Sequence, residues 1–269
     1  EALKQGGEKE ITAFFSDVVS FSTISEKLSS VDLARLLNEY LSAMTDILKK
    51  YGGTLDKYIG DAVVGIFGAP IELPDSAHAA ARASLEMMDR IAELRKKWEA
   101  EEAYCAEARD MHFRIGLNTG IAKVGFMGTE NLASYTMMGD SVNLAARLEA
   151  AGKDYGVSIM VSEVTMNRLK DEMEGRLLDL IRVKGKHIPV KVYELIGHRD
   201  RVDRERLELA RDYEDAFDMY QQRQWENAMQ AFDRISEKLA HDGKSDKNAK
   251  KSDKAVEMLR ERCRIYSEE

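Results

Sequence analysis

Two aspartates stand where strands give out. Ile11 to Ser16 (ITAFFS) is a short β-branched and aromatic run ending at Asp17, and the runs Thr54 to Ile59 and Ala62 to Phe67 are joined at Gly60-Asp61. Alone, a turn aspartate is usually a cap or a solvated loop residue. Two of them at strand ends of one sheet can converge, however, and supply the hard oxygen ligands that Mg²⁺ prefers. Such a pair can hold two ions that clamp the attacking and leaving oxygens of an in-line phosphoryl transfer. Asn143 and Arg147, four apart in a stretch otherwise apolar or Ala, share one helix face. Taken alone, they would make a surface hydrogen-bonding pair.

The elements that must position these residues follow from periodicity. Ser29 with Asp32 resembles a capping box. It opens an amphipathic helix carrying Leu33, Leu36, Leu37, Tyr40, Leu41, Met44, Ile47, Leu48 and Tyr51, stopped by Gly52-Gly53. The serine-rich segment before it reads as a loop. Residues 54–67 read as a hairpin with Asp61 at or beside its tip. From Asp75 an Ala-rich helix places Leu85, Met88, Ile91, Leu94 and Trp98 on one stripe, with a polar continuation to Asp110. His112 to Asn118 and Ile121 to Phe126 read as the two arms of a central hairpin, followed by a strand at Tyr135 to Met138. Asp140 to Ala151 is a helix stopped at Gly152, and further strands are expected at 157–161, 177–183 and 190–196. Strands alternating with helices predict an α/β (α+β) fold, its helices covering one face of a mixed, mainly antiparallel sheet.

After Gly197 no strand is expected. Tyr220 to Ile235 has the Tyr, Trp, Ala and Phe spacing of a tetratricopeptide helix pair, and Ala255 to Tyr266 a final helix. The Lys/Asp/Ser-rich stretch 238–254 reads as a mobile link. We therefore divide the chain into residues 1–197 and a small all-helical extension, 198–269. One repeat cannot bury its own apolar face, so the extension must pack on the first part, on its own last helix or on another subunit.

Composition narrows the function. With 44% hydrophobic and 33% charged residues and 3 Pro among 269, the chain is globular rather than disordered or fibrous. A net charge of −8 argues against a nucleic-acid polymer as partner, so an anionic substrate will need a metal or clustered cations. Cys105 and Cys263 have no zinc or disulfide spacing, and a reducing, cytoplasmic setting fits. No apolar run approaches the ~20 residues of a membrane-spanning helix. The chain begins at Glu1, so an upstream membrane or sensor region is an expectation.

Four segments together resemble one family. FSDVVSFS at 15–22, DKYIGDAVVGIF at 56–67, YTMMGDSVNLAARLE at 135–149 and VKGKHIPVKVYEL at 183–195 resemble, in order, the signature blocks of the class III nucleotidyl cyclase catalytic domain. The likeness covers roughly residues 8–197, and GGEKEITAFFSD with the helical tail is similar to bacterial adenylate cyclases that follow a membrane-embedded sensor. The resemblance implies a ferredoxin-like domain and two divalent ions, Mg²⁺ or Mn²⁺, held by Asp17, Asp61 and the carbonyl of Val18. It implies triphosphate binding by N–H groups of the loop through Val18, Val19, Ser20 and Phe21, with Ser20 where relatives usually carry Gly. Asn143 would align the ribose, Arg147 would meet charge on the α-phosphate, and Lys184, with Lys186 as neighbour, would bind the triphosphate. Ile121 stands where some members carry a further phosphate-contacting Arg.

Base choice and assembly follow from the same resemblance. Lys57 matches the position where adenylate cyclases carry Lys and guanylate cyclases Glu; a lysine can donate to adenine N1, whereas guanine's donors call for an acceptor. Thr136, seven before Asn143, can accept from the adenine N6 amino group. A Thr there resembles the subgroup that includes bicarbonate-responsive cyclases. The family assembles its site from the aspartates of one protomer and the Lys, Thr, Asn and Arg of the other. A homodimer converting ATP to 3′,5′-cyclic AMP and pyrophosphate in signal transduction is implied. A catalytically silent nucleotide-binding module, a guanylate cyclase and a peptide-binding tail are the competing readings.

Overall fold

The hydrophobic runs build one eight-stranded sheet. The protein is described by a computed structural model over residues 6–129, 132–182, 189–245 and 252–268. The strands are β1 (Gly7–Val18), β2 (Thr54–Ile59), β3 (Ala62–Phe67), β4 (Phe113–Thr129), β5 (Leu132–Met138), β6 (Ile159–Ser162), β7 (Met173–Ile181) and β8 (Val190–His198). Their order is β2-β3-β1-β4-β6-β8-β7, with β5 along the outer half of β4. Among the described residues only β4 and β6 run parallel, so the sheet is mixed and mainly antiparallel, as expected.

Helices cover both faces of this sheet, not one. The helices are α1 (Phe21–Lys27), α2 (Ser30–Lys50), α3 (Ser76–Ala100), α4 (Ala106–Arg109), α5 (Asp140–Tyr155), α6 (Glu163–Leu169), α7 (Arg204–Gln221), α8 (Trp225–Ser245) and α9 (Lys254–Glu268). The α2–α3 layer shares a core with Phe14, Ile115 and Leu117, whereas α5 brings Val142 and Ala145 to the opposite side, against Ile11, Ala13, Ala122 and Val124. Central β1 is therefore apolar on both faces, which hides the period-two alternation that would have revealed two layers. Ser29 caps α2 by accepting from the Asp32 N–H.

Several boundaries differ from the sequence expectation. The two arms expected around Thr119-Gly120 are one continuous strand, β4, paired with β1 from Phe113 to Val124. Gly120 serves a close approach rather than a turn, since a Cβ there would stand 2.6 Å from Ser141 Oγ. The serine-rich segment after β1 forms α1, and α6 follows β6 unannounced. Helix α5 passes Gly152 and ends at Gly156, whose φ of 65° is the left-handed cap. Helix α8 runs on to Ser245, through the first part of the expected link.

The helical extension shares one core with the sheet layer. Tyr213, Phe217, Phe232, Leu259 and Cys263 pack with Leu144, Leu148, Tyr155, Met160 and Leu178. The Tyr213 hydroxyl donates to the Leu178 carbonyl at 2.7 Å, and Arg262 pairs with Asp179 at 2.6 Å. Among the described residues no helix is long and apolar enough to cross a membrane.

The seat of α5 is set by Gly116, where a Cβ would lie 2.2 Å from the Ala145 carbonyl oxygen and 2.3 Å from the Glu149 nitrogen. Both are backbone atoms and cannot rotate away. Gly116→Ala is expected to destabilise the fold by about 3 kcal/mol, the upper range for overpacking, read as a lower urea midpoint; an unchanged midpoint would contradict this backbone contact.

Candidate active site

Strands β1 and β3 are neighbours, so the end of β1 and the β2–β3 turn meet. Asp61 Oδ2 accepts the Val18 N–H at 2.9 Å, which ties the turn to the strand end and sets Asp61 beside Asp17. Burial raises the pKa of Asp17, and the negative charge of Asp61 raises it further. Opposing this is Arg114, a residue the sequence reading missed. It stands directly across from Asp17 in the β1–β4 register, its Nη2 3.6 Å from Asp17 Oδ2 and 3.2 Å from Glu149 Oε1 on α5. Glu149, also missed, is pushed up to about 6, chiefly by burial. Two adjoining carboxylates under mutual repulsion, offering hard oxygens, fit a divalent cation.

Beyond the aspartates the chain turns through Val19 and Ser20 into α1. Ser20 adopts the left-handed conformation (φ 55°, ψ 36°), so the backbone here holds a shape that favours Gly. Two of the N–H groups expected to face phosphate are committed inside the protein: Val18 donates to Asp61 and Val19 to the His112 carbonyl at 2.8 Å. The N–H groups of Ser20, Phe21 and Ser22 open α1, where the helix's own carbonyls cannot reach them. Together with Asp17, Asp61, Arg114, Lys153 and Lys254 this segment lines a cleft of about 810 Å³.

Lys57 and Thr136 meet elsewhere, between β2 and β5. Lys57 Nζ lies 3.4 Å from Thr136 Oγ1, and the Thr136 hydroxyl donates to Asp56 Oδ2 at 2.7 Å. Strict alternation would send Asp56 and Lys57 to opposite faces, but a register shift between Leu55 and Lys57 allows both to reach Thr136. The Asp56 side chain is only 2% exposed and Thr136 is buried as well, so the half-exposed Lys57 is the group of this cluster that a ligand would meet first. Asp56 was legible as a carboxylate before Lys57, yet the irregularity that turns it inward was not.

Asn143 and Arg147 are exposed on α5, one turn apart, as expected. Arg147 and Glu149 are two residues apart and so point to different sides of the helix. Neither Asn143 nor Arg147, nor Lys57 or Thr136, is among the described residues lining the aspartate cleft. Lys184 and Lys186 lie outside the described residues. His78 is buried against Asp171 at 2.8 Å, away from both clusters.

The sequence matches the adenylate and guanylate cyclase catalytic domain over residues 3–197. The chain belongs to this family. It is 32% identical to adenylate cyclase 1 of Rhizobium meliloti over 189 residues, 70% of this chain and 28% of that protein. It is also 32% identical to the terminal-differentiation-specific adenylate cyclase of Dictyostelium discoideum over 238 residues, 87% of this chain and 11% of that one. The chain thus spans less than a third of either relative. Among solved structures, the cyclase fold superposes on the adenylyl cyclase CyaB from P. aeruginosa with a TM-score of 0.66 at 36% identity, covering 74% of this chain and 100% of that one. The guanylyl cyclase Cya2 gives 0.64 at 27% identity, covering 74% and 97%. Cyclases of both bases share this fold, so base choice must come from side chains.

Asp61→Asn keeps an oxygen for the Val18 N–H while removing a charge. Mn²⁺ binding, read by calorimetry, should weaken by more than about tenfold, the scale of one charged contact, with little change in Tm. Because burial and the neighbouring Asp61 charge raise the Asp17 pKa, protons should displace the cation from the wild-type protein at a higher pH than an ordinary aspartate would require. Unaltered Mn²⁺ affinity in Asp61→Asn would contradict the assignment.

Proposed function

We propose that the chain is an adenylate cyclase, forming 3′,5′-cyclic AMP and pyrophosphate from ATP at sites shared by two copies. The observation that carries the base choice is the Asp56–Thr136–Lys57 cluster. Thr136 gives its only proton to Asp56, which leaves its oxygen acceptor-only, while Lys57 is a donor. An acceptor for the N6 amino group beside a donor for N1 is the pattern of adenine, and guanine presents the reverse at both positions.

Asp17 and Asp61, with the Val18 carbonyl, would hold the divalent ions. When bound, two ions, Mg²⁺ or Mn²⁺, would lower the pKa of the ribose 3′-hydroxyl and neutralise the pyrophosphate leaving group. The protein's own part is positioning and charge. The N–H groups of Ser20, Phe21 and Ser22, which have no hydrogen-bond partner among the described residues, would receive phosphate oxygens, with Lys184 assigned to the triphosphate by the block it lies in. Asn143 orients the ribose, and Arg147 meets charge growing on the α-phosphate as the 3′-oxygen attacks.

Two features support a site built from two copies. The aspartate cleft in one chain lacks the base-reading and Asn/Arg groups, and α5 sends Arg147 and Glu149 to different sides. Exposed apolar residues lie on the two strands bearing the base-reading pair, Ile59 on β2 and Leu132 and Met138 on β5, and on β4, which pairs with β5, at Ile121 and Phe126. We extend the reading to a catalytic part at 1–197 supported by the helical extension at 198–269, to an upstream sensor or membrane region with the catalytic part cytoplasmic, and, through Thr136, to a bicarbonate response.

Incubation with ATP or GTP and Mg²⁺ or Mn²⁺, with products separated by chromatography, should yield cyclic AMP from ATP. Lys57→Glu should cut ATP turnover by about tenfold or more and raise the GTP share. Cyclic GMP as the main wild-type product would overturn the base assignment, and no product from a verified dimer would favour a silent module.

A further inference from the structure

The aspartate cleft is not built from the cyclase part alone. One of its walls is Lys254, the first residue of α9 in the helical extension, close to Lys153 near the end of α5. We propose that Lys254, with Lys153, binds the outer phosphates of the nucleotide, so that the extension completes the substrate site. The inference rests on the reading of the cleft as a nucleoside triphosphate site.

The placement of Lys254 is enforced from two directions. Its neighbour Asp253 is buried and caps α9, accepting from the Ala255 N–H at 2.9 Å, while Arg176 on β7 donates to its other oxygen at 2.9 Å. Arg176 is itself held by Glu194 at 2.9 Å and lies over the Tyr213 ring at 4.6 Å. Breaking such a buried pair leaves a stranded charge, so the start of α9 is pinned to the sheet. On the other side lies Gly156. A Cβ there would come within 3.1 Å of Cβ, Cγ and Cδ of Lys254, so the lysine stem lies across a position whose left-handed φ of 65° already favours glycine.

Charge explains what the ammonium is for. The cleft carries the carboxylates Asp17 and Asp61, and its arginine, Arg114, is engaged with Asp17 and Glu149. Lys153 and Lys254 have no ion-pair partner among the described residues, and both are exposed to the cleft. A lysine is a compact point charge on a flexible stem, suited to following a phosphate from substrate to released pyrophosphate. A lysine that only solubilised the surface would need neither the buried Arg176–Asp253 anchor nor the glycine beneath its stem.

The test uses the full chain and two readouts. Binding of inorganic pyrophosphate with Mg²⁺ is measured by calorimetry, and KM for ATP is measured on the same preparations. Lys254→Ala should weaken pyrophosphate binding and raise KM by about tenfold each, the scale of one charged hydrogen bond, with unaltered melting and dimer mass. Lys254→Arg should restore most of the binding, and Lys254→Glu should lose more than the alanine variant. Unchanged pyrophosphate affinity in Lys254→Ala and Lys254→Glu would overturn the proposal, as would higher turnover in Lys254→Ala, which marks a lysine that blocks the cleft. If the wild type makes no cyclic nucleotide the cyclase reading fails, while calorimetry with pyrophosphate still decides for or against Lys254.

Discussion

Two carboxylates held side by side repel each other, and much of this molecule is arranged around keeping Asp17 and Asp61 in that position. The Val18 N–H bond to Asp61 fixes the turn to the strand end, and Arg114 supplies part of the missing positive charge. Arg114 is placed by register opposite Asp17 and is steadied by Glu149, whose own pKa burial pushes up. Glu149 is where it is because α5 rests backbone to backbone on Gly116. Raised carboxylate pKa values gathered in a cleft are the pattern that functional sites show, and they support the proposed cation site.

Helix α5 divides the chemistry. One side closes over the sheet and reaches Arg114 through Glu149; another carries Asn143 and Arg147 into solvent. On the proposed reading, the groups assigned to the cation and those assigned to the base therefore lie apart in a single chain, the latter outside the aspartate cleft. The exposed apolar strands beside the latter groups give a reason for two copies to meet there. The helical extension is joined to the same helix through Leu144, Leu148 and Tyr155, so what holds the tail also holds α5.

Much of this was legible in the sequence, and the exceptions share a cause. Asp17 after its apolar run, the hairpin with Asp61 at its turn, the Ser29 cap and the Asn143/Arg147 face depend on local pattern, and the structure places them accordingly. What was missed depends on what lies across the fold. Gly120 looked like a turn because glycine usually marks one, yet its missing side chain makes room for α5. Arg114 and Glu149 become a pair only through β4 register and helix packing, and Asp56 turns inward at a strand irregularity no residue type announces. The second helical layer was hidden because β1 is apolar on both faces. Lys254 sat in a stretch that composition marks as a solvated link, and only the burial of Asp253 shows that chain pinned.

The central claim is that each catalytic site takes its aspartates from one copy and its arginine from another, and mixing two inactive variants addresses it directly. Asp17→Ala and Arg147→Ala, each a folded dimer without cyclase activity, are unfolded or dissociated together, allowed to re-pair, and assayed for cyclic AMP. A mixed dimer carries one fully intact site and one doubly damaged one. Random pairing should therefore return about a quarter of wild-type activity, as an isologous two-fold contact requires. No recovery, with mixed dimers verified by mass, would contradict shared sites and place the whole reaction within a single chain.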